Sequence, residues 1–150
     1  MSTPLSAIDS IPVEPLVGKV VIDTNNYYPD RDGHIRALDD ETTSTSELLQ
    51  TKLVGARVVK AFSHAGARFL TKDSKPRGAE RRRAFAIAGD DANAKQAVAN
   101  LTDEFGFDVV DAGNLAEGWR IQRDTPGYAQ RFTAEELRQK LSEAKRYRDA

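Results

Sequence analysis

The sequence predicts an α/β layered fold, on three observations. Short apolar, β-branched runs alternate with stretches of helical spacing along the chain. The helical stretches open on capping residues, Ser44-x-x-Glu47 and Thr133-x-x-Glu136. The strand-like runs stop at small or polar residues, where an α/β sheet presents its carboxyl edge. The predicted order is strand, helix, four times over.

Met1 to Ser10 is small and polar and is expected to be loose, with residues 1–12 as a flexible lead and 13–150 as the domain. Pro12 and Pro15 bracket an extended connector. Val20-Val21-Ile22 is a β-branched run suited to a strand covered on both faces, as in a parallel sheet. Asp23, Thr24, Asn25 and Asn26 come next, and Pro29 to Asp40 is a charged surface loop. The Ser44 capping box opens a helix through about Leu53, with Leu48, Leu49 and Leu53 on its inner side and Gly55 as its stop. Ala56 to Phe62 is the second strand, and Ser63 to Ala67 its polar, small-residue end.

A short helix up to Leu70 and a charged loop from Thr71 to Gly78 lead to a third strand, Arg83 to Ala88. Asp90 or Asp91 caps the next helix, where Ala94, Ala97, Val98, Leu101 and Phe105 keep a helical period. Phe107 to Asp111 is the fourth strand, and Leu115 to Tyr128 is irregular or briefly helical. The last helix is expected to run from the Thr133 box to about Arg148, with Phe132 and Leu137 as its staple.

At 150 residues the chain is long enough for one domain with its own core. A net charge of −1 supplies no field that favours nucleic acid or anionic lipid. The absence of cysteine excludes disulfides and thiol catalysis, and it fits a cytoplasmic setting. No apolar run approaches the ~20 residues of a membrane helix. Met1 to Ile11 lacks the basic start and apolar centre of a secretory signal.

Polar residues concentrate at two strand ends. The uncharged amides of Asn25 and Asn26 can hold a neutral planar ring, or they can simply shape a turn. Ser63 and His64 are chain neighbours, so they do not form a serine–histidine nucleophile pair. His34 reads as a solvated loop residue, and two histidines without cysteine make a poor metal set. Lys72, Lys75, Arg77, Arg81, Arg82 and Arg83 read as a solvated basic loop without the interleaved aromatics of a nucleic-acid surface. Lys60 reads as an anchor, or as a stem that reaches solvent. No strand runs into a Gly-x-Gly-x-x-Gly turn, which a complete dinucleotide-binding domain needs for its pyrophosphate.

Four blocks in this order resemble one family: Lys19 to Gly55, Val58-Val59-Lys60-Ala61-Phe62, Ala86 to Asp91, and Phe107 to Gly113. They are similar to the second half of the NADPH:coenzyme F-420 (deazaflavin) oxidoreductases and of the cytosolic domain of the STEAP metalloreductases. The resemblance implies a Rossmann-type NAD(P)-binding fold lacking its N-terminal half, with the first strands and the glycine-rich turn absent. It implies an NADP-linked oxidoreductase that passes hydride between NADPH and coenzyme F-420 or a flavin. It also implies that Asn25 and Ala67 face the nicotinamide end of NADP, with Asn26, Ser63, His64 and Arg68 around the junction of the two rings. The family has Asn directly after Lys-Ala-Phe, and here Ser63 stands there.

Positioning two stacked rings supplies most of the catalysis in such a transfer, so no acid–base apparatus is expected. Cofactor binding is expected only with a complementary N-terminal half, and an open first strand is expected to promote self-association. The alternative is a non-catalytic assembly or interaction module that kept the back half of the fold.

Overall fold

The computed structural model describes residues 1–146. Four strands form one sheet: β1 (Val20–Asp23), β2 (Arg57–Lys60), β3 (Ala84–Gly89) and β4 (Asp108–Asp111), in the order β1-β2-β3-β4. Among the described residues, six α-helices accompany them. Two short ones, α1 (Pro29–Asp32) and α2 (Arg36–Asp39), lie in the loop after β1, and α3 (Thr45–Lys52) returns the chain to β2. A single turn, α4 (Phe69–Lys72), comes after β2; α5 (Ala92–Glu104) joins β3 to β4; and α6 (Ala134–Glu143) closes the described chain. The arrangement is α/β and Rossmann-like, as expected.

The sheet is mixed rather than all parallel. β1 pairs parallel with β2, and β3 with β4, through the crossovers that carry α3 and α5. β2 and β3 run antiparallel over two residue pairs, Val59 with Gly89 and Lys60 with Ala88. The connection between them, residues 61–83, contains only the single turn α4. It carries no helix across the sheet, so β3 starts near the end where β2 stops. Gly89 fits this crossing because a Cβ there would sit 3.3 Å from Val59 Cγ2 and 3.1 Å from Lys95 Cγ.

Local signals place the helices. Both capping boxes form: the Ser44 and Thr133 side chains accept from the N–H groups of Glu47 and Glu136, whose carboxylates accept in return. Asp91 caps α5 by accepting from Ala94 N–H at 2.7 Å. The buried stripe of α5 is Ala94, Val98 and Thr102; Ala97 and Phe105 of the expected stripe face outward, and Phe105 lies past the helix end. The last helix stops at Glu143, short of the expected Arg148, which lies outside the described residues.

Val21, Leu49, Leu53, Val58 and Leu115 form a core on one side of the sheet, with Ile8, Ile11, Val13 and Leu16 packed on it. Val59, Ala61, Ile87, Ala94 and Val98 form another. Leu5 is also buried, and a 3₁₀ helix spans Leu5–Ser10.

Candidate functional site

The carboxyl ends of β1 and β2 meet at one pair, Asp23 beside Lys60. Both side chains are buried. Asp23 accepts from the Asn25 backbone N–H (2.9 Å) and from the Ser46 hydroxyl (2.6 Å). The Lys60 ammonium donates to the Asn25 carbonyl (2.9 Å) and to Thr45 Oγ1 (3.0 Å). Asn25 is therefore held at both backbone groups by two buried ionisable side chains. Of the two readings of Lys60, an anchor or a stem that reaches solvent, burial excludes the second. Gly118 lies across its stem, and a Cβ there would stand 2.7 Å from Lys60 Cδ. Burial pushes the Lys60 pKa down, and the nearby Asp23 carboxylate opposes that shift.

Four expected site residues gather next to this clamp. Asn25 Oδ1 accepts from Thr3 N–H at 3.2 Å, and Asn26 Nδ2 donates to the Ser63 carbonyl at 2.7 Å. Phe62, at φ 57°, adopts a left-handed conformation uncommon outside glycine, and it turns the chain from β2 into Ser63 and His64. His64 Nε2 accepts from Ala86 N–H of β3 at 3.0 Å, so the proton of the neutral ring sits on Nδ1. That Nδ1 faces the Gly127 backbone without forming a full hydrogen bond. Burial first, then the charges of Arg83 and Lys60, push the His64 pKa down to about 3. His64 is thus a neutral core histidine at ordinary pH.

These four residues share a further property. Asn25 Nδ2, Asn26 Oδ1, Ser63 Oγ and His64 Nδ1 are all buried atoms without a hydrogen-bond partner. Asn25, Ser63 and His64 are 5%, 4% and 1% exposed. Ala67 and Arg68 lie apart, on an exposed turn before α4, where the Arg68 guanidinium stacks 4.7 Å from the Phe69 ring centre.

Sequence reasoning missed the parts that frame the site. Ser46, Thr45 and Gly118 carried no signal beyond their neighbourhood to strand or helix ends. Tyr28 and Tyr128 join through their hydroxyls and tie the loop after β1 to the segment that covers His64. Ala129 N–H donates to the His64 carbonyl at 3.0 Å on that segment. Burial, then the Tyr28 hydroxyl, raises the Tyr128 pKa to about 12. Beyond Tyr27 opens a cavity of about 150 Å³ between the loop that holds Leu38 and Asp39 and the segment that holds Trp119 and Arg123. None of the six expected residues lines it.

The basic loop is also corrected. Arg82 and Arg83 are buried, not solvated. Arg82 donates to Asp103, Asp108 and the Lys75 carbonyl, and Arg83 donates to Asp73 and the Gln130 carbonyl. Among the described residues, no helix is long and apolar enough to cross a membrane.

No family model matches the chain. A stretch of 53 residues is 45% identical to protein YjhV of Escherichia coli (strain K12), over 35% of this chain and 39% of that one. Two crystal structures share the fold. One is of a hypothetical protein, SMa0349, from Sinorhizobium meliloti, with a TM-score of 0.66, 28% identity and coverage of 86% of this chain. The other, from Arthrobacter sp. FB24, is provisionally assigned as an F-420-dependent NADP reductase, with a TM-score of 0.61, 27% identity and coverage of 75%. The chain spans 60% and 52% of those two proteins. The likeness agrees with the α/β, Rossmann-like arrangement of this chain.

Proposed function

We propose that the chain is the nicotinamide-end portion of an NADP-linked oxidoreductase of the coenzyme F-420-dependent type, active with a complementary N-terminal half. The observation that carries this reading is the cluster of orphaned polar atoms at the β1–β2 carboxyl edge. A buried polar atom without a partner costs about 1–3 kcal/mol, so several together point to a ligand rather than to stability. Asn25 Nδ2 offers a donor, Asn26 Oδ1 an acceptor and Ser63 Oγ either. That set fits a carboxamide, which has one of each. The F-420-dependent assignment of a structural neighbour at 27% identity agrees with it.

When bound, the nicotinamide supplies a hydride and the deazaflavin or flavin ring accepts it. The chain's own part is to orient and to exclude water. Asp23 and Lys60 fix the Asn25 backbone, so its amide is presented without reorganisation. His64, held neutral, adds no charge beside an uncharged ring. The pyrophosphate is left to the complementary half, because the sequence has no glycine-rich turn. Ala67 and Arg68 lie on an exposed turn at the same strand end, open to the second ring or to that half.

A second reading, an assembly module without catalysis, draws on the burial of Asn25, Ser63 and His64 and on the bond from Thr3 N–H to Asn25 Oδ1. NADPH fluorescence separates the two. The chain alone should show no saturable binding in the low micromolar range, and addition of a complementary half should restore it. In that assembly Asn25→Ala should slow hydride transfer with the fold intact. An unchanged rate and unchanged NADPH affinity would remove Asn25 from the site and favour the assembly module.

A further inference from the structure

The cavity beyond Tyr27 lies apart from the six residues of the candidate ring site. At about 150 Å³ it holds a body the size of a benzene ring, which is too small for a flavin or a deazaflavin. Pro29 and Leu38 give it an apolar side. Its polar side comes from the start of α3 and from the segments after β4 and α6. Thr45, the first residue of α3, and Trp119 line it and are 5% and 8% exposed. Gln122 and Arg146 also line it.

The carboxylates on these walls are taken. Asp39 accepts from the Tyr27 hydroxyl at 2.7 Å and meets His34 at 3.1 Å, Asp124 pairs with Arg123 at 3.1 Å, and Glu41 is engaged as well. The groups left over are donors. Thr45 Oγ1 accepts from the Lys60 ammonium at 3.0 Å, so its own proton points elsewhere, and no acceptor meets that proton among the described residues. The Trp119 ring carries the guanidiniums of Arg120 and Arg146, 4.6 and 4.8 Å from its centre. Its indole N–H has no acceptor among the described residues, although nine-tenths of the side chain's residue is buried. Arg146 gives one N–H to the Glu41 carbonyl, and no ion pair joins it to a carboxylate among the described residues. Unpaired donors with a guanidinium among them call for an anionic acceptor. A cationic ligand would find the carboxylates taken and the Trp119 ring covered.

We infer that this cavity binds a compact organic carboxylate. The carboxylate oxygens accept from Arg146, from the Trp119 N–H and from the Thr45 hydroxyl, and the apolar body lies against Pro29 and Leu38. A carboxylate has lone pairs enough for all three donors, and an arginine fork can meet both of its oxygens. A bare oxyanion such as phosphate would leave the apolar side of the cavity unused. The inference does not rest on the cofactor reading, and its test contains no cofactor.

Trp119 is the chain's one tryptophan, so its indole N–H resonance reports on the cavity directly. Benzoate, benzamide, benzylamine and inorganic phosphate are each titrated into the chain. Benzoate should shift that resonance saturably, with a dissociation constant of about 1 mM or below. Benzamide keeps the shape and loses the charge, and it should bind at least about tenfold more weakly. Arg146→Gln should weaken benzoate by about tenfold or more, and Arg146→Lys, which keeps the charge without the fork, should weaken it less. The benzoate–benzamide comparison is made on the unaltered chain, so it decides the matter even where a variant fails to fold. A resonance that benzoate leaves unshifted up to about 20 mM would overturn the inference. Equal binding of benzamide, or tighter binding of benzylamine, would overturn the charge assigned to the ligand. Phosphate that binds as tightly as benzoate would overturn the apolar body. Unchanged benzoate affinity in a folded Arg146→Gln chain would take the guanidinium out of the site and overturn the assignment of its partner.

Discussion

Two buried polar regions of this molecule differ in one respect. At Arg82 every guanidinium nitrogen is matched: the side chain reaches two carboxylates and two carbonyls, and Arg77, then Arg82, hold the Asp103 carboxyl down at about 2. Around Asn25, Asn26, Ser63 and His64 a clamp of Asp23 and Lys60 is likewise matched, yet four side-chain atoms inside it are not. A matched network is what folding alone requires. Unmatched atoms held in place by a matched frame are what a binding site requires before its ligand arrives.

The largest expected effect lies in the matched region. Arg82→Ala removes the buried member of a network, leaving Asp103 to Arg77 alone and taking the arginine from Asp108, and it should lower stability by about 3 kcal/mol in urea unfolding. The next effect is pH-dependent. His64 titrates near 3 when folded and near 6.5 when unfolded, so the unfolded chain binds the extra proton. Its contribution is complete above about pH 6.5 and is lost as the pH falls toward 3. The slope is about 1.4 kcal/mol per pH unit in that window. His64→Gln keeps an acceptor for Ala86 N–H and should flatten the slope between about pH 6.5 and 4.5, where equal slopes in both proteins would show that the buried imidazole is not the sensor. Ser46→Ala comes third. It removes a buried hydroxyl bonded to Asp23 at 2.6 Å and should cost about 2 kcal/mol.

Much of this fold was legible because its signals are local. The Ser44–Glu47 and Thr133–Glu136 boxes, the Asp91 cap and the β-branched run at Val20 each work within one turn or one strand. The direction of β3 was not legible, because alternation of strands and helices says nothing about which way a strand enters. The place of the candidate site was partly legible. Asn25 and Asn26 stand where a strand stops, a position with a general meaning in α/β sheets. Arg82 and Arg83 misled, and Lys60 stayed between two readings, since such residues normally keep their charge in water. Their partners lie far along the chain: Asn25 is 35 residues from Lys60, and Asp103 is 21 from Arg82. Only the folded sheet brings those groups together.

The smallest expected effect is the sharpest test of the contrast between the two regions. Ser63 is as buried as Ser46, but its hydroxyl has no partner, while its carbonyl keeps Asn26 in place. Ser63→Ala deletes the unmatched atom and leaves that backbone contact intact. The lost polar burden and the small void left behind oppose each other, so stability should change by less than about 1 kcal/mol, with a gain as the favoured sign. On the proposed function, hydride transfer in the assembly with a complementary half should fall all the same, because the hydroxyl is then turned to the ligand. The informative measurement is the pair of serines side by side in urea unfolding. If Ser63→Ala costs as much as Ser46→Ala, the Ser63 hydroxyl is satisfied within the fold, and the distinction between the matched frame and the unmatched site collapses at this residue.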